Sequence, residues 1–156
     1  MRRVIAGLCV VMSLAVIGAP PAGAATATVQ GSGSYDKLVV NNAAKKLTFK
    51  VYAPGGECAI QYLNVKFRDR DGTKYEMDGG CYPGAVWIAS LVRGTTLVDC
   101  DGFKLTFNDT NTVWTGSIPR ACLKKLAGPV KVTESYVQDG TPNINEVPAT
   151  KYIAQG

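Results

Sequence analysis

The sequence predicts an all-β fold built from packed antiparallel sheets, and three observations support this prediction. Apolar side chains such as Leu47, Phe49 and Val51 recur at every second residue, the period of a strand with one face in a core. Turn-forming residues separate these short runs. No helical-period segments alternate with them, as a parallel sheet would require. We therefore expect an immunoglobulin-like sandwich in one domain at 35–156, with a small β-barrel as the alternative.

The chain begins with a predicted secretory signal peptide at 1–24. Two arginines precede an uncharged apolar run of 14 residues, Val4 to Ile17, and small residues ending in Ala24 follow it. A transmembrane helix needs about 20 apolar residues, so this run is too short to span a bilayer. We expect cleavage before Ala25, secretion of the mature protein and no membrane insertion after cleavage. The small, Gly-rich stretch 25–34 is expected to be a flexible N-terminal segment.

The remaining secondary-structure elements are predicted from the spacing of apolar residues and from the turn-forming residues between them. Strands are predicted at 47–53, 63–68, 73–78, 86–92, 103–107, 112–118, 130–137 and 150–153. The segment 86–92 is apolar on both faces and is expected to be a central, covered strand, whereas 150–153 is expected to close an edge. Pro119 followed by good helix formers and by Gly128-Pro129 predicts one short helix near 119–127.

Four cysteines remain after cleavage, namely Cys58, Cys81, Cys100 and Cys122. An even number in an exported chain favours two disulfides, and four cysteines allow three pairings. The turn signals at 69–72 and 108–111 lie close to the midpoints of the two consecutive pairs. Each pair is thereby placed at the open base of a hairpin, within disulfide reach. We therefore favour the pairings 58–81 and 100–122.

The composition excludes several classes of function. The chain has no histidine, which removes Ser-His-Asp and Cys-His nucleophiles and imidazole metal sites. The cysteines lack the short spacing of zinc knuckles, and Asp69 and Asp71 lack the further oxygen ligand and the glycine of an EF-type loop. Removing the signal lowers the formal net charge from +5 to +3, which favours solubility over nucleic-acid binding. We expect no catalytic residue, no metal and no cofactor.

Three residues are candidates for binding: Tyr82, Trp114 and Arg120. Tyr82 and Arg120 belong to types enriched at binding hot spots, and each lies close to a cysteine whose disulfide would stiffen its segment. Trp114 lies near a turn, where an aromatic face can bind sugars or cations. A structural role is the alternative for all three. For Trp87 we expect packing in the core against a disulfide.

The stretch from Trp87 through Cys100 to Ile118-Pro-Arg-Ala-Cys-Leu123 resembles small secreted β-rich proteins of high-GC Gram-positive bacteria. Those proteins carry a signal peptide, a β-rich domain and a late I-P-R-x-C-L segment, and they are largely uncharacterised. The resemblance implies a secreted β-domain and carries over no catalytic residue.

These observations favour a secreted, non-enzymatic β-sandwich that binds an unknown extracellular partner, either a protein, a glycan or a wall polymer. A secreted protease inhibitor is the alternative, because Gly79–Gly84 and Ile118–Cys122 have the form of loops beside a disulfide. In that case Arg120-Ala121 is a candidate trypsin-like scissile bond. The absence of histidine disfavours an enzyme.

Overall fold

The computed structural model describes residues 25–31, 37–52, 61–81, 88–123, 128–138, 145–146 and 149–156. In these ranges the chain forms eleven strands and a 3₁₀ turn at Arg120–Cys122. The strands are β1 (Ala25–Gln30), β2 (Lys37–Asn42), β3 (Lys46–Tyr52), β4 (Gln61–Arg68), β5 (Lys74–Cys81), β6 (Ile88–Arg93), β7 (Thr96–Leu97), β8 (Lys104–Asn108), β9 (Val113–Pro119), β10 (Lys131–Gln138) and β11 (Asn145–Glu146).

These strands form two antiparallel sheets. The five-stranded sheet has the order β1-β2-β3-β9-β8, and the six-stranded sheet has the order β11-β10-β4-β5-β6-β7. Within the described ranges neither sheet closes on itself. The predicted antiparallel β-sandwich is therefore confirmed, and the alternative small barrel is wrong.

The β4–β5 hairpin forms where the sequence predicts it. Its turn is closed by hydrogen bonds from the Gly72 amide to the Asp69 carbonyl (3.2 Å) and from the Thr73 amide to Asp69 Oδ1 (3.0 Å). Gly72 has φ of 81°, a backbone conformation that side chains disfavour. Asp69 therefore stabilises a turn, and the residue pairing fixed by that turn runs from Arg68 opposite Lys74 to Gln61 opposite Cys81.

The β8–β9 hairpin is closed in a similar way at its tip and by a disulfide at its base. Asn108 Oδ1 accepts hydrogen bonds from the amides of Thr110 (3.0 Å) and Asn111 (3.3 Å). At the open end Cys100 and Cys122 form a disulfide with their Cα atoms 5.4 Å apart. The sequence predicted this bond, because the turn at 108–111 lies close to the midpoint between the two cysteines.

Aromatic side chains join the two sheets in the core. The centre of the Phe49 ring, on the five-stranded sheet, lies 5.2 Å from the centre of the Phe67 ring on the six-stranded sheet. Phe67 in turn stacks on Tyr75 at 5.3 Å. Such ring pairs add to the burial of large apolar surfaces, which is the dominant favourable contribution to folding.

Two glycines allow the sheets to approach closely. A Cβ atom at Gly79 of β5 would lie 2.2 Å from Leu105 Cδ2 and 2.9 Å from Trp114 Cζ3, both on the opposite sheet. A Cβ atom at Gly116 of β9 would lie 2.5 Å from Met77 Sδ. Each glycine thus provides the space that a side chain of the facing sheet fills.

The segment 25–34 differs from the expected flexible segment. Ala25–Gln30 pairs with β2 at six positions, and Ala25, Ala27 and Val29 pack against the core. The period-two placement of these small apolar residues explains the strand, and the prediction of flexibility is wrong for them. Residues 32–36 lie outside the described part of the chain.

The prediction of a covered central strand at 86–92 is also wrong for the residues described. Ile88 is 52% exposed, Ala89 is exposed, and Leu91 is buried. In the described part of the sheet only the two-residue strand β7 lies beyond β6, so β6 runs close to an edge. Residues 86 and 87 lie outside the described ranges.

The two remaining elements are shorter than expected. The helix predicted near 119–127 is, as far as it is described, a single 3₁₀ turn after which Leu123 is extended. The predicted edge strand at 150–153 makes one isolated bridge, from Ile153 to Val130. Thr150 Oγ1 accepts the Val132 amide hydrogen bond at 3.0 Å, so a side chain replaces the backbone carbonyl of a regular ladder. Over the described ranges the chain contains no helix of sufficient length and apolarity to span a bilayer.

Candidate functional site

Some of the residues singled out from the sequence lie outside the described part of the chain. These are Cys58, Tyr82 and Trp87. Cys81, the last residue of β5, is disulfide-bonded. The pairing of Cys58 with Cys81 and a binding role for Tyr82 stay predictions.

Trp114 lies in the core and not at the surface. Its side chain is completely buried and packs against the Phe107 ring at 5.1 Å. The indole Nε1 donates a hydrogen bond to Gln61 Oε1 on the opposite sheet at 3.0 Å. The prediction of an exposed ligand platform at Trp114 is wrong, because its alternating position on β9 faces the core.

Arg120 is buried as well, with 6% of its surface exposed. Its Nε donates to the Ala43 carbonyl at 3.2 Å, and its Nη2 donates to Asn42 Oδ1. Asn42 Nδ2 continues this network to the Ile153 carbonyl at 2.7 Å. Burial lowers the pKa of the Arg120 guanidinium from its ordinary value, because it removes water from the charged form.

These contacts give Arg120 a structural role. It ties the β2–β3 turn to the 3₁₀ turn, so its side chain does not reach out to a partner or to the specificity pocket of a protease. The burial of Arg120 therefore does not support a binding residue or a scissile Arg120-Ala121 bond, and both stay predictions. In the other candidate inhibitor loop, Gly79 and Gly80 are buried within β5, and residues 82–84 are not described.

The strongest remaining candidate is the outer surface of the six-stranded sheet. Along β4 the buried residues Leu63, Val65 and Phe67 alternate with polar side chains that lie on the other side of the sheet. We call this surface the polar face, and we define it by Tyr62, Asn64, Lys66, Arg68, Lys74, Glu76, Asp78, Ser90, Val92 and Ile88.

A hydrogen-bonded cluster occupies the centre of the polar face. Asp78 Oδ1 accepts from Tyr62 Oη at 2.8 Å and from Asn64 Nδ2 at 2.5 Å, while Ser90 Oγ donates to Asp78 Oδ2 at 3.4 Å. Asn64 Nδ2 also donates to Glu76 Oε1. Asn64 is 1% exposed, and its Oδ1 accepts no hydrogen bond from any described residue. The cluster thus holds one buried acceptor to which none of the described residues donates.

A groove of about 340 Å³ lies beside this cluster, towards the β4–β5 turn. This volume is at the lower end of the range of small-molecule sites. The groove is lined by Lys66, Arg68, Lys74, Glu76, Gly94 and Thr133, with Phe67 and Tyr75 also contributing. Three of these side chains are cationic and one is anionic, so the groove is positively charged.

Arg68 is the best-positioned cation of the groove. Its guanidinium carbon lies 5.4 Å from the centre of the Tyr152 ring, within the range of a cation–π interaction. Its Nε is buried and donates to no acceptor among the described residues. The polar face therefore carries a buried donor at Arg68 and a buried acceptor at Asn64 that have no partner in the described part of the chain.

Sequence reasoning missed this site although its signal was present. Period two already placed Asn64, Lys66 and Arg68 on one side of β4 and opposite to the core residues. The period does not show which residues of the neighbouring strand lie opposite these three. In the structure Asp78 lies opposite Asn64, and Lys74 lies opposite Arg68.

The described residues contain no group of three or more acidic, cysteine or histidine side chains that could hold a metal ion. Comparison of the chain with protein-family models, with curated proteins and with solved structures gives no match.

Proposed function

We propose that this chain is a secreted, non-enzymatic β-sandwich that binds an extracellular partner through the polar face. The observation that carries the proposal is that one sheet surface holds a positively charged groove, a hydrogen-bonded cluster and two of the four buried polar atoms that lack a partner among the described residues. Native proteins leave few buried polar groups without a partner, so those that remain call for an explanation. A bound partner is the explanation that we propose.

Secretion has two supports. The first is the order of two arginines, a short apolar run and small residues that predicts a signal peptide at 1–24. The Cys100–Cys122 disulfide is of a kind that persists in oxidising compartments and is rare in the cytosol of mesophiles. A non-enzymatic role is favoured because the sequence has no histidine to activate a nucleophile.

We also propose that the sandwich is immunoglobulin-like. The order β2-β3-β9-β8 corresponds to strands A-B-E-D of that fold, and β11-β10-β4-β5-β6 corresponds to G-F-C-C′-C″ of its variable type. The disulfide differs, because β3 and β10 contain no cysteine and Cys100–Cys122 closes the β8–β9 hairpin instead.

The binding proposal is tested with the exported protein and extracellular material of the producing organism. The protein is incubated separately with purified cell wall and with concentrated culture medium, and the bound fraction is measured by sedimentation and by biolayer interferometry. Ile88→Glu places a charge at an exposed apolar position of the polar face. We expect this variant to weaken binding by about tenfold or more.

Thr106→Glu is the matched control, since Thr106 is exposed on β8 of the other sheet. It is expected to bind like the wild type. Equal weakening by both variants, or no binding of the wild type to either fraction, would contradict the proposal.

A further inference from the structure

Two cations of the groove lie directly opposite each other on neighbouring strands. Arg68 of β4 pairs in register with Lys74 of β5, and both side chains lie on the polar face. Like charges at such a position destabilise a sheet. Among the described residues neither forms a salt bridge, and Glu76 is the only carboxylate that lines the groove there. The register thus places two positive charges at one position of the polar face, and the described residues supply no anion that pairs with either of them.

The chemistry of Arg68 specifies the anion further. Its planar guanidinium presents donors in a fork that matches the two oxygens of a carboxylate or phosphate. The contact with Tyr152 is a cation–π contact at 5.4 Å from the ring centre, which uses none of the hydrogen-bond donors of the guanidinium. The buried Nε is one of these donors, and it has no acceptor among the described residues.

Asn64 specifies a second property of the ligand. Both hydrogens of its Nδ2 are already donated to Glu76 and Asp78, so Asn64 has no donor left for a ligand. Its buried Oδ1 accepts from none of the described residues, so the group that it can bind is a hydrogen-bond donor. Asn64 and Arg68 are four residues apart on one strand, which separates their Cα atoms by about 13 Å. A complementary ligand therefore presents an anionic oxygen to Arg68 and, at a separate point, a donor such as a hydroxyl to Asn64.

From these contacts we infer that the polar face binds an acidic glycan, that is, a short saccharide chain carrying carboxylate or phosphate groups. Its anionic group enters the groove between Arg68 and Lys74, and one of its hydroxyls donates to Asn64 Oδ1. Both protein atoms are covered by neighbouring side chains, so binding includes a rearrangement of this face. The inference rests on the proposed function and names the chemical class of the partner.

The test is a nuclear magnetic resonance titration of the ¹⁵N-labelled exported protein with its disulfides intact. The probes are tri-galacturonic acid, maltotriose carrying one phosphate, neutral maltotriose and tri-glutamate. We expect at least one of the two acidic saccharides to shift the Asn64 side-chain amide and the Arg68 Nε–H resonances. Both acidic saccharides carry the inferred chemistry, and their relative affinities identify whether carboxylate or phosphate is preferred.

Arg68→Gln is expected to weaken binding of the acidic saccharide about tenfold or more. Arg93→Gln removes the same charge from the same sheet and serves as the control. Arg93 is exposed and pairs with the buried Tyr75, so it lies on the opposite side of the sheet from the groove. The control is expected to bind within about twofold of the wild type, and urea unfolding of both variants separates a loss of folding from a loss of contact.

Three results overturn the inference: binding of neutral maltotriose as tight as that of the acidic saccharides, binding of tri-glutamate as tight as theirs, or no shift with either acid at millimolar concentration. Equal losses from Arg68→Gln and Arg93→Gln would also overturn it, because they would indicate non-specific charge attraction. If Ile88→Glu weakens binding to extracellular material while Arg68→Gln does not, this inference fails and the proposed function survives.

Discussion

Gly79 and Gly116 provide a quantitative test of how the two sheets pack. Replacing glycine by alanine in a strand gains about 0.5–1 kcal/mol, because the alanine chain loses less backbone entropy on folding. Against this gain stands the cost of placing a methyl group in a filled core, which is about 1–3 kcal/mol. The balance depends on whether the facing side chain can move.

For Gly79→Ala the facing groups are poorly able to move. The new methyl group would lie 2.2 Å from Leu105 Cδ2 and 2.9 Å from Trp114 Cζ3. The indole is held by its hydrogen bond to Gln61 and by its contact with Phe107. We take the upper half of the overpacking range, about 2–3 kcal/mol, and expect a net destabilisation of about 1–2.5 kcal/mol.

For Gly116→Ala the facing group is the flexible end of Met77, at 2.5 Å for Sδ and 2.8 Å for Cε. Methionine has three rotatable bonds and adapts to such changes, at a cost of about 0.5–1.5 kcal/mol for a shifted rotamer. This cost nearly cancels the backbone gain. We expect the free energy of unfolding to change by about 0.5 kcal/mol or less.

Urea unfolding of the oxidised protein, followed by tryptophan fluorescence and far-ultraviolet circular dichroism, measures both values. The double variant Gly79→Ala/Leu105→Ala is expected to be less destabilised than the sum of its single variants, since truncating Leu105 removes part of the clash. A Gly79→Ala variant as stable as Gly116→Ala would refute the packing argument.

Three further predictions concern the framework. Arg120→Ala removes two hydrogen bonds of a charged donor and leaves Asn42 Oδ1 without that donor, so we expect it to destabilise the fold by about 2–4 kcal/mol in urea unfolding. The exposed Lys45→Ala is its control and is expected to stay within about 0.5 kcal/mol of the wild type. Replacing both Cys100 and Cys122 by alanine should lower the free energy of unfolding by about 3 kcal/mol, the value for a loop of this length, whereas an unchanged value would show that the bond does not restrict the unfolded chain. N-terminal sequencing of the exported protein should begin at Ala25, and an intact Met1 would contradict the predicted signal peptide.

The features that the sequence predicted correctly are local ones. The β4–β5 and β8–β9 hairpins and the Cys100–Cys122 bond follow from turn residues and from a period of two, which involve neighbours along the chain. Once the turn fixes the register, the opposition of Asn64 and Asp78 follows by counting away from it. The pairing at the centre of the candidate site could therefore have been predicted from the sequence.

The features that sequence reasoning did not predict depend on the other layer of the fold. Trp114 and Arg120 are types often found at binding surfaces, but the opposing sheet and the C-terminal segment cover them. Conversely, Ile88 belongs to an apolar run and is exposed, because the described chain places no layer over that side of β6. Residue type and period do not reveal which strand is covered, because coverage is decided by contacts between residues far apart in sequence.

The position of the Cys100–Cys122 bond also bears on how the chain reaches its fold. The two cysteines are consecutive in the sequence and lie at the base of one hairpin, so their oxidation requires only that β8 and β9 pair. Hairpins form in about 1–10 μs, well before an all-β protein assembles its distant strands. Disulfide formation takes seconds to hours, so the bond closes on a hairpin whose strands have already paired. Once closed, it keeps the two ends of the β8–β9 hairpin together whenever the rest of the sandwich opens.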